Sequence, residues 1–185
     1  RSDVMLRTQD GDISSRITKI YGERFTTHYN ADIQRVRRDD DGDVVVGLGN
    51  GSEVRGDALL VASGRTPNGD QLGVAETGVD LDDRGYVVSD VYGRTNVDGI
   101  WALGDISNPV QLKHVANHES RVVAHNLTNP DDLLEMNHDL IPAAVFSHPQ
   151  IGTVGLTEAE CAARGMSYTA HVQEYGSAAY GWAME

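Results

Sequence analysis

The apolar run Ile100-Trp101-Ala102-Leu103 constrains the fold of this chain more than any other stretch. Polar turn residues, Thr95 to Gly99, lead into it, and it stops abruptly at Gly104-Asp105. A short, uninterrupted apolar run between turn signals fits a strand buried on both faces, which needs cover from layers above and below. Such a strand has to deliver a carboxylate, Asp105, at its C-terminal end, with a glycine immediately before it. That arrangement asks for a reason beyond packing.

Composition limits what the reason can be. The 185 residues are enough for one domain with a real core or for parts of two. A formal net charge of −13 opposes a nucleic-acid backbone or an anionic membrane surface as partner, because either would repel the chain. No run approaches the roughly 18 apolar residues of a membrane-spanning helix, and RSDVMLRTQD resembles no signal or transit peptide, so a cytoplasmic location is expected. The single cysteine, Cys161, excludes an internal disulfide framework and a two-cysteine redox centre within these residues. The chain starts at Arg1 rather than methionine and stops in YGWAME without a finished element, which reads as an internal fragment of a longer protein.

Along the chain, Ile13, Ile17, Ile20 and Tyr21 recur at helical spacing, predicting a surface helix over 12–25 with Asp12 as its cap. ADIQRVRR, DVVVGLG and SEVRGDALLVASG read as two hairpins and a buried strand. DDDGD (Asp39 to Asp43) is read as a turn: with Gly42 at the sixth position of a calcium loop, Arg37 and Leu48 would stand first and twelfth, where acids are needed. GLGNG (Gly47 to Gly51) is also a turn, since Ser52 to Arg55 continue as strand where a dinucleotide loop opens a helix. GYVVSD and GIWAL are predicted strands, 113–127 is a predicted helix, and AAVFSHPQIGTVGLT is predicted as a strand from Pro142. Thr157 and Glu160 stand at capping-box spacing before a short helix that Gly165 can end.

LLVASGRTPN (Leu59 to Asn68), followed by TNVDGIWALGD and then by VFSHPQIGTVGLTEAE, resembles the motif set of the pyridine nucleotide-disulfide oxidoreductases, the FAD enzymes that include glutathione reductase. NHESRVVAHNL and EYGSAAYGWAME are most similar to the branch that reduces mycothione, the disulfide of mycothiol. The resemblance implies a mixed α/β and α+β chain: part of a FAD/NAD(P)-binding fold of two Rossmann-type domains, plus the start of an α+β dimerisation domain. Residues 1–67 would close the NADPH-binding domain, 68–138 would be the second part of the FAD-binding domain, and 139–185 would open the interface domain of a homodimer.

It also implies a reason for the carboxylate. Ligands of open α/β sheets lie beyond the carboxyl ends of the strands. Asp105 would accept a hydrogen bond from a ribityl hydroxyl of FAD, and Gly104 would let the cofactor approach the backbone. Leu112, Lys113 and His114 match the helix start whose amides face the flavin pyrimidine ring. The partial positive charge of a helix N-terminus stabilises the anion formed there on reduction. Glutathione reductase-like sequences tend to have Thr-Pro in place of Lys113-His114, so a role for those two side chains does not follow. Arg1 and Arg7 have the spacing of NADPH-dependent relatives and would pair with the 2′-phosphate. Gly64 and Arg65, in Gly-Arg-x-Pro-Asn, would lie beside the nicotinamide, and Ala144 would offer its backbone carbonyl to the carboxamide.

The activity this implies is hydride transfer from NADPH to FAD, then reduction of a cysteine pair that attacks a small disulfide substrate. The cysteine pair, the FAD glycine loop and the catalytic histidine all fall outside these residues, so the 185-residue chain alone is expected to be inactive. A dihydrolipoamide dehydrogenase or mercuric reductase relative, or a non-catalytic truncated module, stays open as an alternative. No metal site is expected: His114, His118 and His125 share a helix face but lack a closing cysteine or carboxylate. His148 is read as structural and Cys161 as inert.

Overall fold

The computed structural model describes residues 2–183. Contacts divide the chain into two units, one running to Ala58 and resuming at Leu156, the other spanning Leu59–Gly155.

In the first unit, α1 (Gly11–Arg24) starts two residues earlier than the apolar spacing suggests. Asp10, not Asp12, is the cap, its side chain accepting the Gly11 N–H at 3.2 Å, while Asp12 sits in the first turn where an acid suits the helix dipole. Ile17 and Ser14 face inward, and the Ser14 hydroxyl is satisfied by donating to the Leu6 carbonyl at 2.9 Å. A three-stranded antiparallel sheet follows, β1 (Ile33–Arg38), β2 (Val44–Leu48) and β3 (Glu53–Gly56), with β2 in the centre. Val44, Val45 and Leu48 of β2 are buried.

Both glycine-containing stretches are the turns that the residues foretell. Asp39 closes the first by donating its N–H to the Asp43 carbonyl, with Gly42 at φ +89°. Leu48 donates to the Ser52 carbonyl across the second, with Gly51 at φ +84°. Gly47 has a separate use. A Cβ there would lie 3.0 Å from Arg35, so its absence lets Arg35 reach across β2 to Glu53 on β3 at 2.9 Å. The apolar run after β3 departs from the buried strand expected of it. Leu60 and Val61 are 89% and 72% exposed and belong to no strand, so an apolar run without a ladder partner gains nothing from being extended.

In the second unit a one-turn α2 (Val74–Thr77) precedes the GYVVSD and GIWAL segments. Neither is a full strand. Each makes one isolated bridge, Leu81 with Val87 and Arg94 with Trp101. Their other backbone groups bond to scattered partners: Val87 donates its N–H to the Ile106 carbonyl at 2.9 Å, Thr95 donates its N–H to the Ile100 carbonyl, and the Thr95 hydroxyl donates to that same oxygen at 2.8 Å. Val79, Val87 and Ala102 form a small core with Ile100 and Ile106 packed against it.

The long helix α3 (Lys113–Thr128) buries Val115, Glu119, Val122, Val123 and Asn126. The spacing is that of one apolar stripe, but two of its positions are polar. Asn126 donates to the carbonyls of Tyr92 and Leu134 at 3.0 and 2.9 Å and accepts the Leu134 N–H at 2.8 Å. It thereby binds two loops to the helix. The stretch predicted as one strand from Pro142 folds back on itself as β4 (Ala143–Val145) and β5 (Ile151–Thr153), antiparallel, around the Ser-His-Pro turn.

Back in the first unit, α4 (Glu158–Ala163) carries the expected capping box, Thr157 and Glu160 each bonding the other's backbone N–H at 3.2 and 2.8 Å. Gly165 follows in the left-handed region at φ +66°. A last short turn, α5 (Ala179–Trp182), ends the described chain.

The Asn126 clamp and the Thr157–Glu160 capping box can each be tested. Asn126→Ala removes the acceptor of the Leu134 N–H and the donor to the Tyr92 and Leu134 carbonyls, at a cost of up to about 1–3 kcal/mol for each group left unpaired. Hydrogen exchange at Leu134 should quicken far more than at Val45, and equal protection in both proteins would contradict the clamp. The Thr157 backbone N–H, followed by its hydroxyl, holds the Glu160 carboxyl below its ordinary pKa of 4.5. Its contribution is therefore complete above that value and lost as pH falls through the lower folded value. An NMR titration should place the Glu160 midpoint below 4.5; one at or above it would count against the capping box.

Candidate cofactor site

The site grows from the end of the apolar run. Ala102 donates its N–H to the Gly93 carbonyl at 2.9 Å, and Leu103 is extended at φ −154°, ψ 163°. Gly104 then turns the chain at φ +75°, a conformation that disfavours side chains. A Cβ at Gly104 would also stand 3.4 Å from that of Ala116, so glycine brings the turn against α3. The Gly104 carbonyl accepts the N–H groups of Ser107 and Asn108, both at 3.0 Å, closing a single 3₁₀ turn.

Asp105 emerges from this turn with its side chain 42% exposed. One carboxylate oxygen pairs with the Arg65 guanidinium at 2.8 Å, and the other has no partner among the described residues. Arg65 is itself 65% exposed, so solvent screens the pair and its net contribution to stability is small. The contact joins two residues that the sequence assigned to different cofactors. Leu112 starts α3 and offers no side-chain cap; its carbonyl accepts the N–H groups of Val115 and Ala116 at 3.0 and 3.1 Å. The first-turn amides of Lys113 and His114 thus have no acceptor within the helix. The Lys113 side chain is exposed, and the His114 ring turns back to donate from Nε2 to the Pro142 carbonyl at 2.8 Å.

Below this surface lies a buried polar cluster that the sequence reading did not single out. Glu119 is 1% exposed. Its carboxylate accepts the Gly104 N–H at 2.5 Å, the Asn108 side-chain amide, and the His138 Nε2–H at 2.8 Å. Asn108 in turn accepts the Val110 N–H at 2.7 Å. The available signal was the stripe itself, because Glu119 and Asn126 occupy inward positions between Val115, Val122 and Val123. The three helix histidines do not converge: His114 meets Pro142, His118 accepts the Asn137 N–H at 3.3 Å, and His125 donates to the Asp132 carbonyl at 2.8 Å.

The remaining candidates lie apart in kind. Arg7 is an exposed residue of the first unit, and Arg1 lies outside the described residues. Gly64 is exposed at φ +136°, and Ala144 stands opposite Gly152 in the β4–β5 hairpin. Taken together, a half-exposed carboxylate with one open oxygen and an uncapped helix start fit a ligand that brings hydroxyl donors on one part and acceptor atoms on another.

Residues 1–120, which include Gly104, Asp105 and the first half of α3, match the family model of the pyridine nucleotide-disulphide oxidoreductases. The chain belongs to that family. Across its full length it is 42% identical over 189 aligned residues to mycothione reductase of Mycobacterium tuberculosis, covering 41% of that protein. Dihydrolipoyl dehydrogenase of Bacillus subtilis is 36% identical over 172 residues, 91% of this chain and 36% of the relative. Among solved structures, the Cu(II) complex of the HOCl-induced flavoprotein disulfide reductase RclA from Escherichia coli superposes with a TM-score of 0.79. It is 28% identical, with 89% of this chain and 37% of that one covered. LpdA from Mycobacterium tuberculosis gives a TM-score of 0.73 at 28% identity, covering 84% of this chain and 34% of that one. The chain thus spans about two fifths of the length of the curated relatives it matches. It is a mixed α/β portion of the FAD- and NAD(P)-binding disulfide reductase fold. Among the described residues, no helix is long and apolar enough to cross a membrane.

In this family member, Gly104→Ala forces a side chain into the left-handed region, at ~1–2 kcal/mol, and against Ala116. We expect a lower thermal midpoint for the chain that carries these residues. An unchanged midpoint would mean that the turn does not hold φ +75° in solution.

Proposed function

We propose that the protein carrying this chain is a flavoprotein disulfide reductase that uses NADPH and FAD to reduce a low-molecular-weight disulfide, mycothione. The observation that carries the cofactor reading is Asp105, presented half-exposed with one free carboxylate oxygen by a glycine turn packed on an uncapped helix start. Bound FAD would supply the relay of two electrons from the nicotinamide to a cysteine pair elsewhere in the protein. In this reading Asp105 accepts from a ribityl hydroxyl and Gly104 allows close approach. The first-turn amides of Lys113 and His114 stabilise negative charge on the ring, while Leu112, whose own N–H is held by the Val110 carbonyl at 2.9 Å, sets the helix start against it. Arg65 and Gly64 border the nicotinamide, the Ala144 carbonyl faces its carboxamide, and Arg7 with Arg1 binds the 2′-phosphate. A free ribose hydroxyl would call for an acid in place of the arginines.

Mycothione as substrate is supported by the higher identity and fuller coverage of the mycothione reductase match, against 36% for the dihydrolipoyl dehydrogenase of Bacillus subtilis. That dehydrogenase likeness keeps dihydrolipoamide as the second reading. Residues 1–67, 68–138 and 139–185 are assigned to the NADPH, FAD and dimerisation domains, the last serving a cytoplasmic homodimer.

In the full protein, Asp105→Ala should yield a partly flavin-free preparation, because the hydroxyl loses its acceptor without regaining water. Full flavin content with an unchanged visible spectrum would reject the assignment. Arg7→Ala should lower kcat/KM for NADPH by about tenfold or more and leave NADH nearly unchanged, each charged hydrogen bond contributing about 1.5–3 kcal/mol. Equal losses for the two cofactors would remove the case for NADPH.

A further inference from the structure

We propose that Glu119 is a positioning residue of the cofactor site: its buried carboxylate fixes the Gly104 turn so that Asp105 meets the ribityl chain. The inference rests on the reading of Asp105 as the FAD ligand and adds a residue that acts through it.

A carboxylate is almost never fully buried unless partnered, and Glu119, at 1% exposure, has three partners that all donate. One is the backbone N–H of Gly104, the residue before Asp105, at 2.5 Å. The carbonyl of the same glycine is held by the Ser107 and Asn108 amides. Gly104 is therefore pinned at both its polar groups, and the direction in which Asp105 leaves the turn is set. The second partner, Asn108, also accepts the Val110 N–H, which extends the restraint along the loop that leads to Leu112 at the start of α3. The third is His138. Its Nε2 must carry the proton it gives to Glu119, so the 3.0 Å approach of the Asn108 amide nitrogen to that same Nε2 is a contact between donors.

A well-packed apolar side chain at this inward position of α3 could serve stability as well as an acid does. What only an acceptor supplies is the orientation of a backbone N–H that no strand reaches. Glu119 thereby ties the two proposed FAD-contacting elements, the Gly104-Asp105 turn and the helix start, into one rigid piece.

A double-mutant cycle on FAD affinity tests this in the full protein, with apoprotein titrated with FAD and read by quenching of flavin fluorescence. Glu119→Met fills the volume without an acceptor. It should raise the Kd for FAD about tenfold in the native background and less than about twofold when Asp105 is already alanine. Glu119→Gln keeps one oxygen for the Gly104 N–H and should recover most of the loss. If Glu119→Met does not fold, the same cycle with Glu119→Gln should show a loss of about threefold that vanishes in the Asp105→Ala background. An equal loss in both backgrounds, or no loss in the native one, overturns the role of Glu119 while Asp105 stands. An Asp105→Ala protein with native FAD affinity overturns the ligand reading and this inference with it.

Discussion

One hydrogen bond organises the second unit: the Gly104 N–H to the Glu119 carboxylate. The apolar run ends in a turn with positive φ, and a chain that leaves a ladder this way presents an amide to the interior with no strand to receive it. Leaving it unpaired would cost about 1–3 kcal/mol. The acceptor comes from a helix, fifteen residues further on, and its charge is tolerable because Asn108 and His138 complete its shell. The same bond brings α3 against the turn closely enough that a Cβ at Gly104 would press on Ala116. The exposure of Asp105 and the placement of the helix start both follow from it.

The rest of α3 works on the same plan. Its buried stripe joins valines, which supply the apolar contact, to Glu119 and Asn126, which satisfy backbone groups of loops that make no regular sheet. Its histidines bind the segment that follows the helix, each to a different backbone group. Outside the β4–β5 hairpin the second unit pairs its described segments through single bridges, and helix side chains substitute for the missing ladder partners. The first unit is held differently, by a regular antiparallel sheet with Arg35 and Arg37 spanning it to Glu53. That pairing, the Arg35 hydrogen bond first, keeps the Glu53 carboxyl below its ordinary range.

Features with a local cause were legible in the sequence. The capping box at Thr157, the turns at Gly42 and Gly51, and the span of α3 from Lys113 each depend on residues within a few positions of one another. The family was legible too, because three motifs fall in order and the family model matches residues 1–120. What could not be read depends on distant partners. The run at Leu59 to Val61 has strand composition but no ladder partner among the described residues, and GIWAL makes a bridge where a strand was expected. The Glu119 cluster was missed because a glutamate in a helix is ordinarily solvated, and only its place on the apolar stripe marks it as inward. The pairing of Arg65 with Asp105 joins residues forty positions apart and carries no sequence signal.

The proposed roles of Asp105, Gly104 and Glu119 all depend on where the flavin lies. A crystal structure of the full protein with FAD bound would decide it. We expect the free oxygen of Asp105 within about 2.5–3.0 Å of a ribityl hydroxyl, the first-turn amides of α3 facing the ring, and the Gly104 N–H still on Glu119. A flavin seated away from the Gly104-Asp105 turn, with Asp105 facing only solvent, would contradict it.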